Sequence, residues 1–271
     1  MGKVYLVGAG PGAPDLLTLR AARILAAADI VLHDALVHPD TLKLAAHARF
    51  IDVGKRYGKV STEQRFIIRA LIEAARTHGT VVRLKGGDPM IFGRAQEELD
   101  ALREAGIETE VVPGVTAALA AASTLQVSLT RRGIARTVTF LTPRVGRGET
   151  VSGTDHNSMP DVLCPPWLPA ALSADTVVLY MAAGAGREIA QALIDGGKPS
   201  STPVALVESA TLPEEQRRIT TLGELARALP ARAQGPVVVC VGEVFRDALD
   251  ELQLDSNPDA APNELHRQVH R

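Results

Sequence analysis

The residues with the most chemistry to offer lie in RLKGGDPMIFGRAQEEL, Arg83 to Leu99. Gly86, Gly87, Asp88 and Pro89 follow an apolar strand pattern directly, and Gly93 and Arg94 stand where a helical stretch begins. The two glycines permit a backbone turn that approaches a ligand closely, while Asp88 adds a hydrogen-bond acceptor and Arg94 a cation. A second glycine cluster, Gly8 to Ala13 (GAGPGA), follows the run Val4 to Val7. Its offsets match the G-x-G-x-x-A dinucleotide fingerprint, and Asp29 or Asp34 supplies the acid expected roughly 20 residues later. Pro14 weakens that match. If a helix opened in the glycine turn, Pro14 would fall about one turn in, where it removes a donor and clashes. The helix is expected to start later, with Asp15 or Thr18 as N-cap, leaving Gly8 to Ala13 as an open loop at a strand's C-terminal end.

Basic residues come in local groups: Lys55, Arg56 and Lys59 in VGKRYGK, Arg94 after IFG, and Arg131 with Arg132 in SLTRRG. The net charge of −2 over 271 residues gives no global attraction to nucleic acid or anionic membranes, so a polyanionic ligand would have to be met by these clusters. His33, His38 and His47 lack metal-site spacing, Cys240 sits in the apolar run VVVCVG as a core thiol, and Cys164 lies in a Pro-rich segment. No metal site is expected. No apolar run approaches the ~18 residues of a membrane span, and the N-terminus carries no basic and apolar leader pattern, so a soluble cytoplasmic protein is expected.

These loops must be positioned by the elements around them. Strands are expected at Lys3 to Val7, Ile30 to His33, Arg49 to Val53, Thr80 to Leu84 and Glu108 to Val112, alternating with helices at Thr18 to Ala28, His38 to Ala46, Thr62 to Gly79 and Arg94 to Gly106. Such βα alternation predicts a largely parallel sheet covered by helices. Pro113 and Gly114 break the pattern before a small-residue helix at about Thr116, which places a domain boundary there: residues 1–113, then 114–246, with a mobile tail over 247–271. The second part carries strands at Thr137 to Leu141, Thr176 to Met181, Pro203 to Val207 and Pro236 to Val241, and helices at Gly186 to Asp195 and Leu222 to Leu229. Between them, Pro143 to Pro169 is a long, polar, Pro/Gly-rich loop.

Taken with GAGPGAPDLLTLRA, VLHDALV, VGKR, VVPGVTAA and LYM, in this order and spacing, the GGDPMIFGR motif resembles the uroporphyrinogen-III C-methyltransferases of sirohaem, cobalamin and haem d1 synthesis. The resemblance covers Lys3 to Val244. GGDPxIFGR is highly specific within the wider tetrapyrrole methylase superfamily, whereas GAGPG is shared more broadly. The resemblance implies an α/β homodimer of two α/β/α domains holding S-adenosylmethionine in the cleft between them, with S-adenosylhomocysteine as product. Carried over motif by motif, the cofactor contacts would be Pro11, Gly86, Gly87, Asp88, Ile91, Thr116, Ala117, Met181 and Ala210. The substrate would be uroporphyrinogen III, methylated at C2 and C7 to precorrin-2. Its eight carboxylates call for Arg and Lys, for which Arg56, Arg131 and Arg132 are the binding candidates. The resemblance implies Asp34 and Lys55 as the groups that manage the ring proton, and also implies catalytic roles for Arg94 and Glu97.

The sequence departs from the family in three places. Pro143 and Arg144 stand where a Gly-His is usual, Tyr180-Met181-Ala182 replaces Tyr-Met-Gly, and Thr130-Arg131-Arg132 replaces Thr-His-Arg. A relative acting on a later precorrin therefore stays open, as does a nicotinamide oxidoreductase or a tetrapyrrole-binding module without catalysis. Individual residues also have plain structural readings: Asp34 could cap a strand end, Lys55 and Arg56 could form a solvated loop, Arg94 could pair with Glu97 or Glu98, and Met181 could fill a core.

Overall fold

A computed structural model describes residues 1–54, 64–143, 165–229 and 233–256. Contacts divide the chain into two compact units, Met1–Leu125 with Ser209–Glu215, and Gln126–Glu208 with Gln216–Arg271. In the first unit the order is β1 (Lys3–Gly8), α1 (Leu19–Ala26), β2 (Ile30–His33), α2 (Pro39–Leu42), β3 (Arg49–Asp52), α3 (Gln64–Thr77), β4 (Thr80–Lys85), α4 (Ala95–Glu104), β5 (Thr109–Val112) and α5 (Ala117–Leu125). The sheet runs β3-β2-β4-β1-β5 with every neighbouring pair parallel. A parallel sheet is covered on both faces, which is why its strands read as nearly unbroken apolar runs. Alternation along each strand divides the core. Leu6, Leu32 and Val81 pack with Leu71 of α3 and Leu102 of α4, while Val7, Val31, Val82 and Leu84 pack with Ala21 and Leu25 of α1.

The start of α1 settles how the first glycine loop is used. Thr18 is the N-cap, its hydroxyl accepting from the Ala21 N–H at 3.1 Å, and Pro14 lies in a separate short 3-10 turn, Pro14–Leu16. The late start expected from Pro14 is therefore what the chain adopts. Because all five strands are parallel, the loops leaving β1, β2, β4 and β5 gather at one edge of the sheet. The contact division keeps α5 with this sheet, whereas the sequence placed the boundary before it, at Pro113 and Gly114.

The second unit contains β6 (Val138–Leu141), α6 (Leu168–Ser173), β7 (Thr176–Leu179), α7 (Gly186–Asp195), β8 (Pro203–Glu208), β9 (Gln216–Thr221), α8 (Leu225–Ala228), β10 (Val237–Val241) and α9 (Arg246–Ser256). Its sheet runs β6-β7-β10-β8-β9, and only β6 and β7 are parallel. The largely parallel arrangement expected from βα alternation thus holds for the first sheet and not the second. The strand that sequence reading missed is β9, whose QRRITT has no apolar run because it is an edge strand with Gln216, Arg217 and Arg218 exposed. The core here is built from Val177, Leu179, Leu206, Val239 and Val241 under Ile189 and Leu193 of α7. Burial pushes the Cys240 thiol up to about 12, in keeping with a core cysteine. No helix among the described residues is long and apolar enough to cross a membrane. The residues expected as a mobile tail begin inside α9, and those after Ser256 lie outside the described residues.

Asp175 ties β6 to β7 by accepting from the backbone N–H groups of Arg136 and Thr137 at 2.8 and 3.0 Å and from the Thr137 hydroxyl at 2.9 Å. The Arg136 bond, followed by those from Thr137, holds its carboxyl below the ordinary value. A lowered folded value means that the contribution to stability is present above the unfolded value of about 3.9 and is lost as pH falls through the folded one. Asp175→Asn is therefore expected to be less stable than the wild type at neutral pH, and the gap should close in acid. Urea unfolding over a pH series checks this; a gap constant with pH would contradict it.

Candidate active site

The ends of β1, β4 and β5 approach so closely that side chains are excluded between them. A Cβ on Gly8 would lie 2.6 Å from Gly114 Cα, and one on Gly114 would lie 2.3 Å from the Gly87 carbonyl oxygen. Gly10 and Gly87, both left-handed at φ 75 and 67°, exchange backbone hydrogen bonds of 3.2 and 2.7 Å. The Asp88 carboxylate clamps this arrangement: Oδ1 accepts from the Met90 N–H at 2.8 Å and Oδ2 from the Gly114 N–H at 3.0 Å. Asp88 was expected to offer an acceptor to a ligand; each of its carboxylate oxygens already takes one bond from the loop, so the group acts first as a clamp on that loop.

The turn between β8 and β9 joins the same edge. Ala13 N–H donates to the Thr211 hydroxyl at 3.0 Å, Thr211 N–H donates to Glu215 at 2.5 Å, and a Cβ on Gly12 would lie 3.1 Å from the Ala210 carbonyl oxygen. Thr116 is buried, with its Cα 4.0 Å from where a Cβ on Gly87 would stand, and Ala117 opens α5 beside it. Ile91 is half-buried, its N–H donating to the Asp88 carbonyl at 3.3 Å. Pro11, Gly86 to Asp88, Ile91, Thr116, Ala117 and Ala210 are thus gathered at one sheet edge. Backbone strain collects in the same loops: Phe92, Arg94, Ser209 and Thr211 all have left-handed φ, between 50 and 71°. Such residues cost about 1–3 kcal/mol each and concentrate at ligand clamps and active sites.

Asp34 follows β2 and meets Arg83 from β4, with Nη2 donating to Oδ1 at 2.5 Å. Arg83 and Lys85 are two residues apart on a strand, so they share a face, and that face is met by Glu98 of α4. Arg83 Nε reaches Glu98 Oε1 at 3.2 Å, and Lys85 Nζ reaches the two oxygens at 3.2 and 3.3 Å. Gln64 of α3 donates to the same Oε1 at 3.1 Å. Glu98 is 0% exposed, Arg83 2% and Lys85 3%. Burial, followed by the neighbouring Arg83 charge, holds Lys85 below the ordinary lysine value against the opposing pull of Glu98. The sequence pattern singles out neither Arg83 nor Lys85, and Glu98 stands there only as a possible partner of Arg94. The available signal was a pair of cations at period two inside an otherwise apolar strand.

The remaining candidates are placed as follows. Arg94 makes a bidentate pair with Glu97, both bonds 2.7 Å, at the exposed start of α4. The hydrogen bonds from Arg94 hold the Glu97 carboxyl below its ordinary value. In the second unit Arg131 pairs with Asp247 at 2.5 Å on the surface, and Arg132 is exposed in the turn that follows. Met181 stands just beyond β7, exposed and left-handed at φ 55°, so it does not fill the core. Lys55, Arg56 and Lys59 lie outside the described residues, as do Arg144 and Cys164.

The model for Tetrapyrrole (Corrin/Porphyrin) Methylases matches residues 3–226. The chain belongs to the tetrapyrrole methylase family. The uroporphyrinogen-III C-methyltransferase of Pseudomonas aeruginosa is 43% identical over 251 residues, spanning 92% of this chain and 97% of that protein. The uroporphyrin-III C-methyl transferase of Thermus thermophilus, solved in complex with S-adenosylhomocysteine, superposes with a TM-score of 0.76 at 39% identity, covering 91% of this chain and 100% of that one. A cobalt precorrin-4 methyltransferase of cobalamin biosynthesis superposes with a TM-score of 0.72 at 27% identity, over 90% and 95% of the two chains. Two mixed sheet-and-helix units are the fold of this methylase family, as the sequence motifs implied.

If the methylase uses the Gly8, Gly87 and Gly114 contact to shape a ligand edge, Gly114→Ala must open it by forcing Gly87 away. The variant is expected to weaken S-adenosylhomocysteine binding about tenfold or more, in addition to an overpacking cost of about 1–3 kcal/mol. Gly106→Ala is the control: Gly106 is left-handed at φ 69°, so a side chain there is strained, but it has nothing within 4 Å. It should lose stability and keep its affinity. Calorimetry on both variants checks this, and equal affinities would contradict it.

Proposed function

We propose that this protein is an S-adenosylmethionine-dependent methyltransferase that methylates uroporphyrinogen III at C2 and C7 to give precorrin-2, the branch point for sirohaem, cobalamin and haem d1. The observation that carries the reading is the near full-length likeness to uroporphyrinogen-III methyltransferases at 39–43% identity, against 27% for the precorrin-4 enzyme. A nicotinamide site is disfavoured because α1 begins at Leu19, outside the glycine turn, so no helix N-terminus is presented to a pyrophosphate there. The same reading makes the protein a cytoplasmic homodimer that engages neither nucleic acid nor membrane.

The residues present suit the cofactor. A sheet edge carrying Gly10, Gly12, Gly86, Gly87 and Ala210 has little side-chain bulk, and turns at Pro11 and Gly86 to Asp88 bring backbone donors and acceptors to it. Thr116, Ala117 and Ile91 would complete the cradle on this unit, and Met181 is the further cofactor contact that the family resemblance implies. When bound, S-adenosylmethionine supplies a methyl group already activated by its positive sulfur. The protein's task is then to hold an electron-rich pyrrole carbon in line with that methyl and to take up the proton the ring releases. Asp34 is the acceptor in this reading, with Lys55 as the second group that manages that proton.

Arg56, Arg94, Arg131 and Arg132 would grip the substrate's carboxylates. Arg94 is engaged by Glu97, but both side chains are about half exposed, at 56 and 48%. Such a surface pair contributes only about 0–1 kcal/mol, so a substrate carboxylate can replace Glu97 at little cost.

Calorimetry should detect S-adenosylhomocysteine binding and no NAD(P) binding; the reverse would overturn the assignment. With saturating substrates under anaerobic conditions, Asp34→Asn should slow S-adenosylhomocysteine release by about 10²- to 10⁴-fold, the usual contribution of a positioned acid or base. Full turnover by that variant would remove Asp34 from the chemistry.

A further inference from the structure

We infer that Arg83 is a positioning residue for Asp34: a buried guanidinium, fixed on three sides, that holds one oxygen of the carboxylate on which the chemistry depends. The inference rests on the reading of Asp34 given above and extends it to side chains that no family motif pointed to.

The geometry separates the two ends of this ion pair. Arg83 is fully enclosed, its Nε held by Glu98 at 3.2 Å and its Nη1 by the carbonyl oxygens of Leu84 and Leu32 at 3.1 and 3.5 Å. Those bonds engage the planar fork on every side but one, and the remaining Nη2 meets Asp34 Oδ1. A guanidinium cannot rotate its donors independently, so anchoring Nε and Nη1 fixes where Nη2 points. Asp34 is open by comparison, its side chain 28% exposed against 3% for Arg83. Among the described residues its Oδ2 has no hydrogen-bond partner. One oxygen is therefore locked and the other remains available to accept a proton.

Charge balance supports the same division of labour. Arg83 and Lys85 face Glu98 and Asp34, two cations against two carboxylates. Glu98 alone cannot neutralise both cations, and a buried cation without a counter-charge is strongly unfavourable. Asp34 is thus the counter-charge that faces Arg83 while presenting its second oxygen. Gln64 and Lys85 act one step further back by fixing Glu98.

A purely structural ion pair would also lose stability when cut, so the test needs a readout that only positioning moves. Arg83→Lys keeps the buried charge and its Glu98 partner but loses the planar fork. It is expected to lower kcat by about 10- to 100-fold, the cost of a misplaced reacting group, with KM for S-adenosylmethionine and S-adenosylhomocysteine affinity within about twofold of wild type. The decisive comparison is the double variant Asp34→Asn with Arg83→Lys, which should be no slower than Asp34→Asn alone because residues acting as a unit are not additive.

A wild-type kcat for Arg83→Lys, with Asp34→Asn impaired, would overturn the positioning role and leave the Asp34 reading standing. Additive losses would overturn it as well, since Arg83 would then act independently of Asp34. An unimpaired Asp34→Asn would instead remove the reading on which the inference rests. Should Arg83→Lys fail to fold, Glu98→Gln keeps the shape and one acceptor for Arg83 Nε. It should show a smaller kcat loss that disappears in the Asp34→Asn background, and a wild-type kcat there would overturn the inference.

Discussion

Everything at the candidate site depends on the burial of two cations on one face of the central strand β4. Arg83 and Lys85 cannot be left unpaired inside the sheet, and the carboxylate that meets them comes from α4. Removing one partner of a buried pair costs about 3–5 kcal/mol, which is a large share of a domain's stability. Glu98 must therefore dock where it does, and that fixes both ends of the Gly86 to Arg94 loop: one at Lys85, the other at the first turn of α4. Within the loop, Asp88 adds a tie to Gly114 and so to the end of β5. The Gly86 to Arg94 loop is thus anchored at both ends by how the charges of β4 are satisfied.

The same constraint explains why function and stability are difficult to separate here. Asp34 both completes the charge balance around Arg83 and offers an exposed oxygen. Asp88 reads as a ligand acceptor in sequence, yet its carboxylate is engaged in holding the loop that a ligand would meet. Arg94 is strained at φ 54° and bound to Glu97, a weak surface pair rather than a buried one. What can be exchanged lies at the surface, and what positions it lies underneath.

Much of this was legible in the sequence because it is local. The late start of α1 follows from Pro14, the parallel first sheet from βα alternation, and the glycine turns from their composition. What could not be read is long-range or concealed by exposure. Gly8, Gly87 and Gly114 are far apart along the chain and only the fold reveals that no Cβ fits between them. The Asp34 to Arg83 pair spans 49 residues. Strand β9 escaped because an edge strand with exposed arginines carries no apolar signature, and the direction of β8 and β10 is not written in runs of valine. Motif order supplied the family, whereas the means by which Asp34 is held had to come from the structure.

This sheet edge is assigned to methyl transfer onto uroporphyrinogen III. Anaerobic incubation of the protein with S-adenosylmethionine and enzymatically made uroporphyrinogen III, followed by mass and absorbance analysis of the tetrapyrrole, tests it most directly. A gain of two methyl groups is expected and, on oxidation, absorbance of the sirohydrochlorin type. An unmodified tetrapyrrole, recovered from a protein that still binds S-adenosylhomocysteine, would contradict the substrate assignment while leaving the methylase fold in place.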